Sequence, residues 1–158
     1  MISAKGSRIV GTCQWITYNG NYRFWLSALG DNDGDGDGDG GAPRFLWISG
    51  RPGKGKTMMS VFLTEELERH TASIPNAELA FFFCSAQDEK RNKATAALRG
   101  FVHQIIAKCP QLVKHALPYF ETPERTQQTL SPLEVLWLIF SKLVTYAELQ
   151  RGAQVYRD

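Results

Sequence analysis

Phe45-Leu-Trp-Ile-Ser-Gly-Arg-Pro-Gly-Lys-Gly-Lys-Thr57 is the stretch on which the fold is decided. Its first four residues are a short apolar run bounded by turn residues, which reads as a buried strand. Residues 50–57 then satisfy G-x-x-x-x-G-K-[ST] at every fixed position. Downstream, Met59, Phe62, Leu63 and Leu67 recur at helical spacing, so a helix is expected from 56 to about 70. Strand, glycine loop and helix in that order are the setting this motif needs to hold a phosphate.

The chemistry follows from the residue types. Three glycines let the backbone curl so that successive N–H groups point inward around an anion. The helix that follows adds its own free N–H groups and the positive end of its dipole. Gly50, Pro52, Gly53, Lys54, Gly55, Lys56 and Thr57 are therefore the candidate phosphate-binding set. Lys56 is expected on the β- and γ-phosphates of ATP or GTP as a point charge. Thr57 is expected to place its hydroxyl on Mg²⁺.

Working outward, residues 79–84 carry three consecutive phenylalanines and read as a second buried strand. A helix is expected over 93–108, with Leu98, Phe101, Val102, Ile105 and Ile106 on one face and Pro110 as its stop. A further short helix is expected over 111–117, followed by a polar stretch over 121–129. Ser131-Pro-Leu-Glu134 is a capping box with proline at the first helical position, opening a helix faced by Leu133, Leu136, Trp137, Phe140 and Val144. Upstream, a short amphipathic helix is expected over 22–29. The order strand, loop, helix, strand, helices predicts an α/β P-loop domain with a three-layer, mostly parallel sheet, of which this chain is the N-terminal portion. Residues 1–30 read as its lead-in segment, 31–41 as a disordered insert and 42–158 as the core, incomplete at its C-terminal end.

Residues 31–41 alternate Asp and Gly, offering nothing to bury and repelling themselves. The opening Asp31-Asn-Asp-Gly-Asp-Gly36 matches the start of a calcium loop. Such a loop needs Glu at position 12, and the three frames place Ala42, Arg44 or Leu46 there, so a linker is expected. The run also hides a charge asymmetry. The net charge is +2, but five of the 16 acidic residues lie in the run; the other 11 face 18 basic ones, a surplus of seven. That suits a polyphosphate ligand. No basic block is interleaved with aromatics, which argues against nucleic acid. The three cysteines, Cys13, Cys84 and Cys109, lie far apart and form no zinc or redox spacing, as expected of reduced thiols in a cytoplasmic protein. No apolar segment opens the chain, and the run 135–140 is too short to span a bilayer.

The ordered segments resemble the NACHT-type P-loop domains of fungal STAND proteins, the vegetative (heterokaryon) incompatibility proteins among them, which share the nephrocystin-3-like N-terminal domain. The resemblance is carried by Gly11-Thr-Cys-Gln-Trp-Ile16 with Phe24-Trp25, by Leu46-Trp-Ile-Ser-Gly-Arg-Pro-Gly-Lys-Gly-Lys-Thr57, and by Thr64-Glu-Glu-Leu67. It continues through Phe81-Phe-Phe-Cys-Ser85, Asp88-Glu89, Arg91-Asn92 and Leu98-Arg-Gly100. It implies a nucleotide-dependent switch that binds ATP or GTP with Mg²⁺ and has effector and repeat-sensor domains as its partners. It places Thr12 and Trp15 near the nucleotide base, although tryptophan as a residue type favours the core.

Hydrolysis needs a further carboxylate at the end of a neighbouring strand. Asp88 and Glu89 lie four and five residues past Cys84, too far on, and Asp158 follows too short a run. The expectation is nucleotide binding with negligible turnover, in a chain truncated before the strand that carries this carboxylate. An active NTPase or kinase, and a non-catalytic interaction fragment, stand as the alternatives.

Overall fold

The computed structural model describes residues 11–27, 45–75 and 77–155. The Asp–Gly run and Asp158 lie outside them. Two compact units divide between Ala77 and Glu78, and each is taken by itself.

In the first unit, a 3₁₀ turn at Gln14–Tyr18 leads into helix α1, Gly20–Ser27. Asn19 starts α1 two residues earlier than the apolar pattern predicts. Its Oδ1 accepts from the backbone N–H groups of Asn21 at 3.0 Å and Tyr22 at 3.2 Å, satisfying donors that a helix start leaves open. Helix α2, Lys56–Thr71, keeps the expected bounds. Met59 and Phe62 form a core with Ile16 and Tyr22, and Trp25, Leu46, Ile48 and Leu63 pack around it. The lead-in segment and α2 thus share one core.

The second unit is built on α3, Ala94–Lys108, and α6, Leu133–Val155. Between them run short turns at Pro110–Leu112 and Leu117–Tyr119, the single-turn α4, Val113–Ala116, and α5, Pro123–Leu130. Val102, Leu112, Ala116, Ile139 and Leu143 make the core. Proline stops α3 as expected: Cys109 N–H closes the last turn on Ile105 O at 2.8 Å. Helix α5 lies in the stretch read only as polar. Thr122 caps it by accepting from Arg125 N–H at 3.2 Å, with Pro123 at the first turn, a signal present in the sequence. Thr129 Oγ1, buried, donates to Tyr119 O at 2.7 Å and ties α5 back to the preceding turn.

Two expectations are corrected here. The first is the parallel sheet: among the described residues no strand forms, and the units are helical. A strand exists only where a neighbouring backbone completes its ladder. Neither apolar run is helical, and among the described residues neither is paired in a ladder. Over 45–48 the chain alternates: Leu46 and Ile48 turn to the core, while Phe45 is 88% exposed and Trp47 90%. Residues 79–83 lie along α3, where a side chain replaces the missing strand. Gln104 Nε2 donates to Phe81 O at 2.9 Å, and Gln104 Oε1 accepts from Phe81 N–H at 3.2 Å. Lys108 Nζ holds Leu79 O at 2.8 Å and pairs with Glu78 at 3.1 Å. Gly100 lets the Phe82 ring close on α3; a Cβ there would stand 3.1 Å from Phe82 Cδ2.

The second correction concerns the buried stripe of α6. It is Leu136, Ile139 and Leu143, whereas Leu133 and Trp137 are exposed. Residues 135–140 are apolar all round, so periodicity cannot choose among their faces. Leu133 and Trp137 instead line a shallow apolar pocket of ≈ 510 Å³ with Ala94, Ala97, Leu98 and Glu134.

Candidate functional site

The loop over 50–55 turns on two glycines in the left-handed region, Gly53 at φ 76° and Gly55 at φ 77°. A side chain at either would be strained, which is why the motif needs glycine there. Lys54 N–H bonds Arg51 O at 3.4 Å across the turn, and Met59 N–H bonds Gly55 O at 2.9 Å as α2 begins. Gly55 is the N-cap and brings no side-chain cap. By helix geometry the first N–H groups of α2 have no intrahelical partner, so they stay open toward the loop. The first turn of α2 carries no acidic residue, while Arg69 and His70 sit in its last turn. Within that first turn no carboxylate offsets the positive end of the helix dipole.

Lys56 folds back over this loop. Its Nζ donates to Gly50 O at 2.6 Å and Arg51 O at 3.1 Å. The ammonium is thereby held above the loop's own carbonyls, on the same side of the chain turn as Gly50 and Arg51. Thr57 is exposed. The hydroxyls of Ser60, Thr64 and Thr71 each donate to the carbonyl four residues back. Among the described residues Thr57 Oγ1 makes no such bond, and stays available to a cation. All of Gly50, Pro52, Gly53, Lys54, Gly55, Lys56 and Thr57 are exposed and contiguous, so the structure brings the predicted set together as one surface.

The lead-in residues fall differently. Trp15 is 61% exposed, which corrects the expectation of a core tryptophan; Ile16 is the buried one. The 3₁₀ turn puts neighbours on different faces, and Cys13, in the left-handed region at φ 71°, sets its start. Thr12 is exposed as well. Tyr22 is the buried tyrosine of this core. Burial, the largest cause, pushes its phenol up from 10.0; the Glu66 carboxylate adds to this and the Arg69 guanidinium opposes it.

Of the two carboxylates after the second apolar run, Glu89 is exposed and Asp88 is engaged locally. Asp88 Oδ1 accepts from Lys90 N–H at 2.9 Å, and Asp88 Oδ2 pairs with Arg91 Nε at 2.9 Å. These bonds close a turn that Ser85 N–H and Arg91 O complete at 3.3 Å. Asp88 is thus a turn residue by its contacts. The cysteines are free, and among the described residues no cluster of His, Cys, Asp and Glu has metal-site geometry. No single described helix is long and apolar enough to cross a membrane.

Comparison with known proteins agrees with the segments quoted above. The chain belongs to the nephrocystin 3 N-terminal domain family, whose profile matches residues 11–156. It is also similar to vegetative incompatibility protein HET-E-1 of Podospora anserina, with 34% identity over 143 residues. The match takes in 90% of this chain and 9% of that protein's length. Both findings support placing the chain with the NACHT-like domains of fungal incompatibility proteins. No solved structure matches it.

Proposed function

We propose that the chain binds a nucleoside triphosphate, ATP or GTP, through residues 50–57, as the nucleotide-sensing part of a cytoplasmic signalling switch of the fungal incompatibility type. One observation carries the reading. The full G-x-x-x-x-G-K-T motif is folded as a loop on two left-handed glycines at an uncapped helix N-terminus, with the Lys56 ammonium over it. A polyphosphate would meet open N–H groups, a helix dipole and a lysine in one place. Its anionic oxygens are better partners for Lys56 than the neutral carbonyls it now holds, because charge-assisted bonds are roughly twice as strong.

The loop residues fit Mg²⁺ as the nucleotide's companion. The Thr57 hydroxyl would hold it together with the phosphates, and the ion would supply charge neutralisation there. The exposed Trp15 offers a face for the base, and the exposed Thr12 stands three residues before it. Binding without appreciable turnover is the expected behaviour, since Asp88 is committed to its own turn. Effector and sensor domains of a longer protein are the proposed partners.

The test is thermal denaturation with and without Mg²⁺-ATP and Mg²⁺-GTP. Nucleotide at a hundredfold excess over its Kd should add about 2.7 kcal/mol of stability and raise Tm by several degrees. No shift with either nucleotide, for a protein shown to be folded, would overturn the reading.

A further inference from the structure

We infer that Lys54 and Arg51 form an outer cationic rim that captures an incoming polyphosphate while Lys56 is still held by the loop. The inference rests on the phosphate-binding reading and assigns separate roles to the three cations of the loop. Lys56 Nζ is engaged at 2.6 Å with Gly50 O and at 3.1 Å with Arg51 O. Two of its three N–H donors are spent on these carbonyls, which leaves one for a ligand until they are released. Lys54 and Arg51 are exposed on either side of the Pro52-Gly53 turn. Among the described residues neither has a carboxylate partner, and the first turn of α2 offers none.

The motif itself does not ask for a charge at positions 51 or 54; any residue satisfies x. Two cations without a carboxylate partner among the described residues, on a solvent-facing loop, act on an anion before contact. Charges of this kind change association rates and salt dependence, whereas a charge hydrogen-bonded to the ligand in the complex governs dissociation. Lys54 sits between two left-handed glycines with its backbone N–H on Arg51 O at 3.4 Å, so what it offers an anion is its side chain.

The experiment is stopped-flow binding of a fluorescent methylanthraniloyl ATP with Mg²⁺, over a range of ionic strengths. Lys54→Ala and Arg51→Ala should each slow association about three- to tenfold at low salt, and flatten its salt dependence. Dissociation should change less than association does, and Lys54→Arg should recover most of the association rate that Lys54→Ala loses. Lys56→Ala should act mainly on dissociation. If Lys54→Ala associates at the wild-type rate at low salt, the rim is wrong while phosphate binding stands. An effect on dissociation alone overturns it equally, by making Lys54 a bound-state contact. A wild-type protein that does not bind the probe at all overturns the reading beneath it.

Discussion

The two apolar runs, 45–48 and 79–83, look alike in sequence and are used in opposite ways. The first alternates, sending Leu46 and Ile48 to the core and leaving Phe45 and Trp47 exposed. It delivers the chain into the loop at Gly50. The second is gripped along its backbone by Gln104 and Lys108, with Phe82 seated over Gly100. The difference teaches that an apolar run states how much it wants burial but not what completes its hydrogen bonds. A glutamine side chain carries the donor and acceptor of a peptide group, and here it stands where a strand was expected.

The comparison can be broken at its foundations first. Phe62, 2% exposed, is the helix side of the core under the first run. Phe62→Ala should cost about 3–5 kcal/mol through lost burial and a cavity, read from urea unfolding. A cost below about 1 kcal/mol would mean the first run has no such support. Gln104→Ala tests the second run. It strips both bonds from the half-buried Phe81 backbone and should cost about 1–3 kcal/mol, with faster amide exchange at Phe81. Unchanged exchange there would show the side chain is not what holds the segment.

A pH series sharpens the first run's core. Tyr22 has its pKa raised above 10.0, mainly by burial. Its contribution to stability is therefore intact below pH 10 and is lost as pH rises through the raised value. Unfolding free energy should decline in that alkaline window, and Tyr22→Phe should flatten the decline; an unaltered slope in the variant would exclude Tyr22 as its cause. The smallest effect is expected at Trp47, 90% exposed. Trp47→Ser should change stability by less than about 0.5 kcal/mol, and a larger loss would show that this side of the run is covered.

What could be read from the sequence follows the same physics. The loop was legible because its residues are dictated by backbone geometry: glycine is demanded where φ is positive, and Gly53 and Gly55 meet that demand. Helix α2 and the end of α3 were legible from spacing and from Pro110. Helix α5 was hidden by its polarity although Thr122-Pro123 announces it, and the buried stripe of α6 was hidden by apolar residues on every side. The sheet was expected because an apolar run carries no mark of its partner. Trp15 was placed by residue type, and a 3₁₀ turn put Ile16 in the core instead.

The central claim is that residues 50–57 hold a nucleotide's phosphates, and Lys56 is where it is most exposed to refutation. Isothermal titration of the wild type and Lys56→Ala with Mg²⁺-ATP and Mg²⁺-GTP compares the two directly. Loss of a charge-assisted contact should weaken binding by about 2–3 kcal/mol, roughly 30- to 150-fold, in a variant whose melting curve without nucleotide still shows a folded protein. Equal affinity for wild type and folded variant would contradict the account.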